Sequence, residues 1–248
     1  MDYKSLLDKI IGGEHFALAR FNDGEMKAVH TPKGVVARGD QPVVKSLTRG
    51  LLEVLDQAPA LTDFYLGRPC SKCFSWHYQV FHVHVSKSYR NQTQATVLIN
   101  NGRWLKSFEA ICRAAQDRPV YWIGQPGHDL SCFEARGLSR PVQYTVPAKD
   151  AWKWRGEVED LTFPEHSLVL LSCGPLSRWL TYKYWTRQPG ELTILDIGSL
   201  LDPLTRDVWH ACHYYNKKSR RCRECDNDFE DDRLRADKDE IRRLACPE

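Results

Sequence analysis

Short, almost continuously apolar runs alternate along the chain with longer stretches whose apolar residues recur at helical spacing. The runs are HFALARF (15–21), DFYLGR (63–68), ATVLINN (95–101), PVYWIG (119–124), VQYTV (142–146), SLVLLSCG (167–174) and LTILDIG (192–198). Apolar residues at nearly every position mark strands buried on both faces, as in a parallel sheet. Helices are predicted over 2–11, 41–57, 75–88, 102–116, 150–161 and 175–186. In 41–57 the residues Val43, Val44, Leu47, Leu51, Val54 and Leu55 fall on one face. Strands alternating with helices of this length predict a Rossmann-like layered α/β fold with a mainly parallel sheet.

Composition narrows the class. The 248 residues carry a net charge of +3, with 42% hydrophobic and 27% charged residues. This is an ordinary globular composition, too weakly basic to imply nucleic-acid binding by charge alone. No apolar stretch is long enough for a membrane span, and MDYKSLLDKIIGGEHF lacks the apolar core of a signal peptide. A cytoplasmic protein is expected, in the host cytoplasm if the source is viral. Without an internal repeat or a linker, residues 1–214 are expected to form one domain. Residues 215–248 read as a charged tail with few large apolar residues.

In parallel α/β sheets ligands collect at the carboxyl ends of the strands. There the chain places Asn22-Asp23-Gly24-Glu25, Asn100-Asn101-Gly102, Gly124-Gln125-Pro126-Gly127, Cys173-Gly174-Pro175 and Asp196-Ile197-Gly198. Around a tight Gly24 turn, Asp23 and Glu25 are expected to project toward one hard cation, Mg²⁺ or Mn²⁺, shared with substrate phosphates. Arg20 can then pair with a phosphate. The plain alternative is a surface turn followed by a solvated helix start.

FALARFNDGEMKAV (16–29) resembles the opening signature of the GT-D-fold glycosyltransferases, a family long filed as a bacterial domain of unknown function. In that family an apolar strand, an Arg and an aromatic precede Gly-Asp-Gly-Glu. Asn22 stands here where Gly is usual. Further segments are similar in order and spacing: ARGDQPVVKSLTRGLLEVL (37–55), VPAKDAW (146–152), LSCGPLSRWLTYKYW (171–185) and ILDIGSLLD (194–202), where Ser199 replaces a usual His. The resemblance spans roughly residues 1–210. It implies a Rossmann-like fold, a nucleotide-diphosphate sugar donor (a UDP-sugar above all) and a divalent cation at the Asp-x-Glu motif.

Other groups complete the expected site. Gly174 and Ser177 open a helix whose free N–H groups suit an anion, or form an ordinary strand-to-helix turn. Asp196 ends a buried strand and must be paired or ligated; it is expected to hold a ribose, orient the acceptor or act as base, or else to cap a turn. Asn100 is expected to read a base or sugar unless Asn-Gly is only a turn. His77, His82 and His84 read as packed or surface residues.

Nine cysteines include two CxxC pairs, Cys70/Cys73 and Cys222/Cys225. Together they predict a four-thiolate zinc site that clips the tail to the core. The basic run KKSRRCR (217–223) reads as a solvated face or a phosphate grip. The expected function is therefore a metal-dependent glycosyltransferase acting on a glycan or a hydroxymethylated DNA base. Two other readings remain open here: a zinc-containing nucleic-acid-binding protein without catalysis, and a nucleotide-sugar hydrolase.

Overall fold

The computed structural model describes residues 1–30, 36–37, 41–42, 44–98, 103–147 and 149–205. The chain begins with α1 (Tyr3–Ile11), β1 (Phe16–Arg20) and α2 (Asp23–His30), then the hairpin strands β2 (Val36–Ala37) and β3 (Gln41–Pro42). It continues through α3 (Lys45–Gln57), β4 (Phe64–Arg68), α4 (Ser75–His84), β5 (Gln92–Gln94), α5 (Arg103–Ala114) and β6 (Val120–Gly124). The last elements are α6 (Ser131–Glu134), β7 (Val142–Thr145), α7 (Arg155–Val158), β8 (Leu168–Ser172), α8 (Leu176–Arg187), β9 (Thr193–Asp196) and α9 (Asp202–Thr205).

Seven strands form one sheet in the order β5-β4-β1-β9-β8-β6-β7. Every adjacent pair is parallel. Successive residues of a strand feed opposite cores. Ala17 and Ala19 face α2, α3, α4 and α8, while Phe16 and Leu18 face α1, α5 and α6. All five residues of β1 and of β8 are buried, so these strands lack any polar alternation. No helix among the described residues is long and apolar enough to cross a membrane.

Several elements differ from expectation for identifiable reasons. Asp23-Gly24-Glu25 is the first turn of α2, not an isolated turn. Residues 41–42 belong to the hairpin and the following helix starts at Lys45; Pro42 supplies no backbone donor and biases its predecessor toward extended backbone. The strand expected at 95–101 lies earlier, at the polar Gln92–Gln94. Ala95, Val97 and Leu98 are buried, but in a turn. The helix expected over 150–161 splits into a 3-10 turn, Ala151–Trp154, and the single turn α7. The 215–248 tail, and with it the Cys222/Cys225 half of the expected zinc clip, lies outside the described residues.

β1 is central. From it the chain moves outward to β4 and β5, then returns from the far side through β6, β7 and β8 to β9, which pairs with β1. The strand order thus reverses beside β1, and a crevice opens at the carboxyl ends of strands around such a reversal.

Candidate active site

Arg20 ends β1 and Asp196 ends β9, on adjacent strands. Both side chains are buried where β1 and β9 meet the starts of α2 and α8. The Arg20 backbone N–H donates to Asp196 Oδ2 at 3.1 Å, and Arg20 Nη2 lies 3.6 Å from Asp196 Oδ1. Arg20 Nη1 also donates to the Ala95 carbonyl at 2.9 Å. From α8, Arg178 Nε reaches Asp196 Oδ2 at 3.1 Å and Arg178 Nη2 lies 3.3 Å from Glu25 Oε1. Arg178 also donates to the carbonyls of Arg20 and Gly174.

Two guanidinium groups and two carboxylates therefore form one closed cluster. Asp196 is fully buried, and Arg20, Arg178 and Glu25 are each at most 6% exposed. Burial opposes the charge on Arg178, but Asp196 and then Glu25 outweigh it and raise its pKa. Gly198 makes room for the cluster. Its φ is +51° and an added Cβ would fall 2.0 Å from Arg20 Nη2, so a side chain there collides with the guanidinium as well as straining the backbone.

Asp23 and Glu25 do not project together. Two residues apart on a helix, they point to different sides. Glu25 turns inward to Arg178, and its Oε2 accepts the Asn22 N–H at 2.9 Å. This is the backward half of a capping box, a carboxylate three residues into the helix satisfying the N–H of the cap residue. Asp23 turns outward to Lys27 at 3.5 Å, with both side chains 41% exposed. Between them Asn22 Oδ1 is buried and accepts no hydrogen bond. Gly24 has open space beside it: an added Cβ meets nothing within 4 Å.

The other expected groups are placed as follows. Gly174 adopts φ +59° and turns the chain from β8 into α8. Ser177 is fully buried, and its hydroxyl accepts the Cys173 N–H at 3.0 Å rather than facing outward. Asn100 lies outside the described residues. Cys70 and Cys73 occupy the turn between β4 and α4, where the Cys73 N–H donates to Cys70 Sγ at 3.5 Å. Among the described residues no three His, Cys, Asp or Glu side chains converge as a metal group.

Two residues went unrecognised in the sequence. Arg178 joins Glu25 to Asp196; the signal was an arginine on an otherwise buried stretch of helix, one turn after Gly-Pro. His77 on α4 packs against Phe74 and Trp76, and Trp76 packs against His30 of α2. Burial lowers the pKa of His77, while Asp23 raises it and Lys27 lowers it, so this imidazole lies within electrostatic reach of the α2 start. Its Nε2 is buried without a hydrogen-bond partner. A separate surface cavity of about 300 Å³, lined by Glu109, Cys112, Arg113, Gln116, Arg136 and Leu138, sits at the end of α5 that leads into β6, away from these groups.

A hard cation fits the residues present. Asp23 offers a half-exposed carboxylate, Asn22 Oδ1 is an amide oxygen without a donor, and the Glu25 oxygens keep lone pairs beyond the two donors they accept. Mg²⁺ and Mn²⁺ are commonly held by one or two protein carboxylates with substrate phosphates filling the remainder, so a protein cage of three acidic ligands is not required.

No family model matches the chain, and no curated protein matches it. Two solved structures do. Both align with a TM-score of 0.63 and 14% identity over 92% of this chain and 88% of theirs. One is a selenomethionine-substituted structure of domain of unknown function 1792, and the other describes that highly conserved domain as having a distinct glycosyltransferase fold. The architecture found here, a parallel seven-stranded sheet with the Asp-x-Glu helix start at the end of its central strand, is thus similar over nearly its whole length to that glycosyltransferase fold.

Proposed function

We propose that this chain is a metal-dependent glycosyltransferase, moving a sugar from a nucleotide-diphosphate sugar, a UDP-sugar first, to an acceptor hydroxyl. The observation that supports it most is the α2 start: a half-exposed Asp23 and an orphaned Asn22 oxygen at the end of the central strand of a glycosyltransferase fold. Asp23 and Glu25, with Asn22 Oδ1, would hold Mn²⁺ or Mg²⁺. When bound, such a cation supplies charge neutralisation on the departing diphosphate.

The chain's own residues do the rest. Unpaired N–H groups at the start of α2 favour an anion there. Gly24 lets phosphate oxygens approach the backbone, since no neighbouring atom occupies its missing side-chain position. Glu25 is immobilised by Arg178 and by the Asn22 N–H, which fixes the geometry of the helix start. Asp196, sealed between Arg20 and Arg178, acts in this reading as a positioning residue and not as the base. His77, kept toward its neutral form by burial, is suited to receive the acceptor's proton beside Asp23. The acceptor is a glycan or a hydroxymethylated DNA base.

Calorimetry of the purified protein against a panel of nucleotide sugars, with and without Mn²⁺, tests this reading. It expects one nucleotide to bind with heat that depends on Mn²⁺, and the matching sugar to transfer to an acceptor. A panel without any Mn²⁺-dependent binder contradicts it. Release of free sugar that no acceptor suppresses favours hydrolysis instead.

A further inference from the structure

The turn after β4 carries chemistry that sugar transfer does not use. Cys70 and Cys73 stand three residues apart between Arg68 and the first turn of α4. Cys70 is 4% exposed and packs against Phe74, whereas Cys73 is exposed. The Cys73 N–H donates to Cys70 Sγ at 3.5 Å, and the Phe74 N–H donates to the Cys70 carbonyl at 3.0 Å. The backbone is thus wrapped around the first sulfur with an N–H dipole aimed at it, an arrangement that favours a thiolate over a thiol. The sequence holds a second pair at the same internal spacing, Cys222 and Cys225.

We propose that Cys70, Cys73, Cys222 and Cys225 bind one zinc ion as four thiolates. Each thiol releases its proton to solvent on binding, and the Zn(S)₄ centre carries two negative charges. Both CxxC segments supply cations beside that charge: Lys72 lies within the first, while Arg220, Arg221 and Arg223 flank or enter the second. A CxxC pair spans two corners of a zinc tetrahedron, so two pairs complete it without further ligands. The sequence gap of about 150 residues makes the centre a long-range staple, and closing so long a loop removes freedom from the unfolded chain. The residues around Cys222 are too charged to fold on apolar burial, and zinc supplies that stability instead.

The staple has a position as well as a strength. Cys73 immediately precedes α4, whose Trp76 and His77 border the start of α2. Zinc therefore ties the segment around 222–225 to the strand-end face, next to the groups proposed to handle the sugar donor. This sets the staple apart from a remote brace, although its metal chemistry is independent of the transfer reaction.

The test uses the full-length chain purified in zinc-containing buffer and then dialysed. Elemental analysis is expected to find one zinc per chain, falling below about a tenth in the Cys222→Ser/Cys225→Ser double variant. Cobalt substituted for zinc is expected to show intense thiolate-to-metal absorption, lost in Cys70→Ser and in the double variant. Should Cys70→Ser fail to fold, the double variant, altered outside the described core, decides. A wild-type chain without zinc, a double variant that keeps it, or a Cys70–Cys73 disulfide in the purified protein would each overturn the proposal.

Discussion

Asp23 and Glu25 belong to one short motif and live in different media. Glu25 is 6% exposed and shares Arg178 with a fully buried Asp196; Asp23 is 41% exposed and shares only Lys27. The first pair sits where charges interact strongly and cannot be left alone. The second sits in screened surroundings where an i,i+4 pair contributes a few tenths of a kcal/mol. An Asp-x-Glu motif at a helix start is thus a division of labour: the inner carboxylate holds the frame and the outer one remains available.

The largest effects are expected inside the cluster. Arg178→Met removes the cation shared by Glu25 and Asp196 and leaves two buried carboxylates. Such a loss costs about 3–5 kcal/mol, read as a lowered denaturation midpoint. Asp196→Asn is expected in the same range because it leaves two guanidinium groups short of a counter-charge. If either variant unfolds like wild type, the cluster does not hold the frame. Next comes Glu25→Gln, which keeps the shape and an oxygen for the Asn22 N–H but discards the charge facing Arg178. Its expected cost is about 1–3 kcal/mol. A value near that of Asp23→Ala would erase the distinction drawn here.

A smaller effect should appear with pH. Burial lowers the pKa of His77 and of His82 below the ordinary value of about 6.5. As pH falls through that value the unfolded chain takes up protons before the folded one, so stability falls on the acid side and is unchanged above it. His77→Gln and His82→Gln should each flatten the fall of melting temperature between about pH 6.5 and 5. Loss of stability on raising pH through the same window would contradict the assignment. Asp2 and Asp129, whose carboxyls are lowered mainly by hydrogen bonds from Ser5 and Ser131, act only at more acid pH.

The sheet was legible because its central strands are buried on both faces and leave uninterrupted apolar runs, as in Leu168–Ser172 and Thr193–Asp196. The edges were less so. β5 is the polar Gln92-Thr93-Gln94, while the apolar residues after it fill a buried turn. The positions of Arg20, Asp23, Glu25 and Asp196 at strand ends could be read from spacing alone. Their roles could not, because those depend on whether Asp-Gly-Glu is a turn or a helix. A tight turn would gather the two carboxylates, whereas a helix separates them. Arg178 was invisible for a related reason: its partners lie 153 residues before it and 18 after it, at Glu25 and Asp196.

Thermal unfolding of the wild type and of Asp23→Asn, each with and without saturating UDP and Mn²⁺, isolates the outer carboxylate. Without ligand the two proteins should melt within about half a kcal/mol of each other, because only an exposed pair is lost. With UDP and Mn²⁺ at about a hundred times the dissociation constant, the wild type should gain about 2.7 kcal/mol. Asp23→Asn should gain almost none of it. An equal gain in both proteins, or no gain in the wild type with UDP or any other nucleotide diphosphate, would contradict a cation and donor site at Asp23.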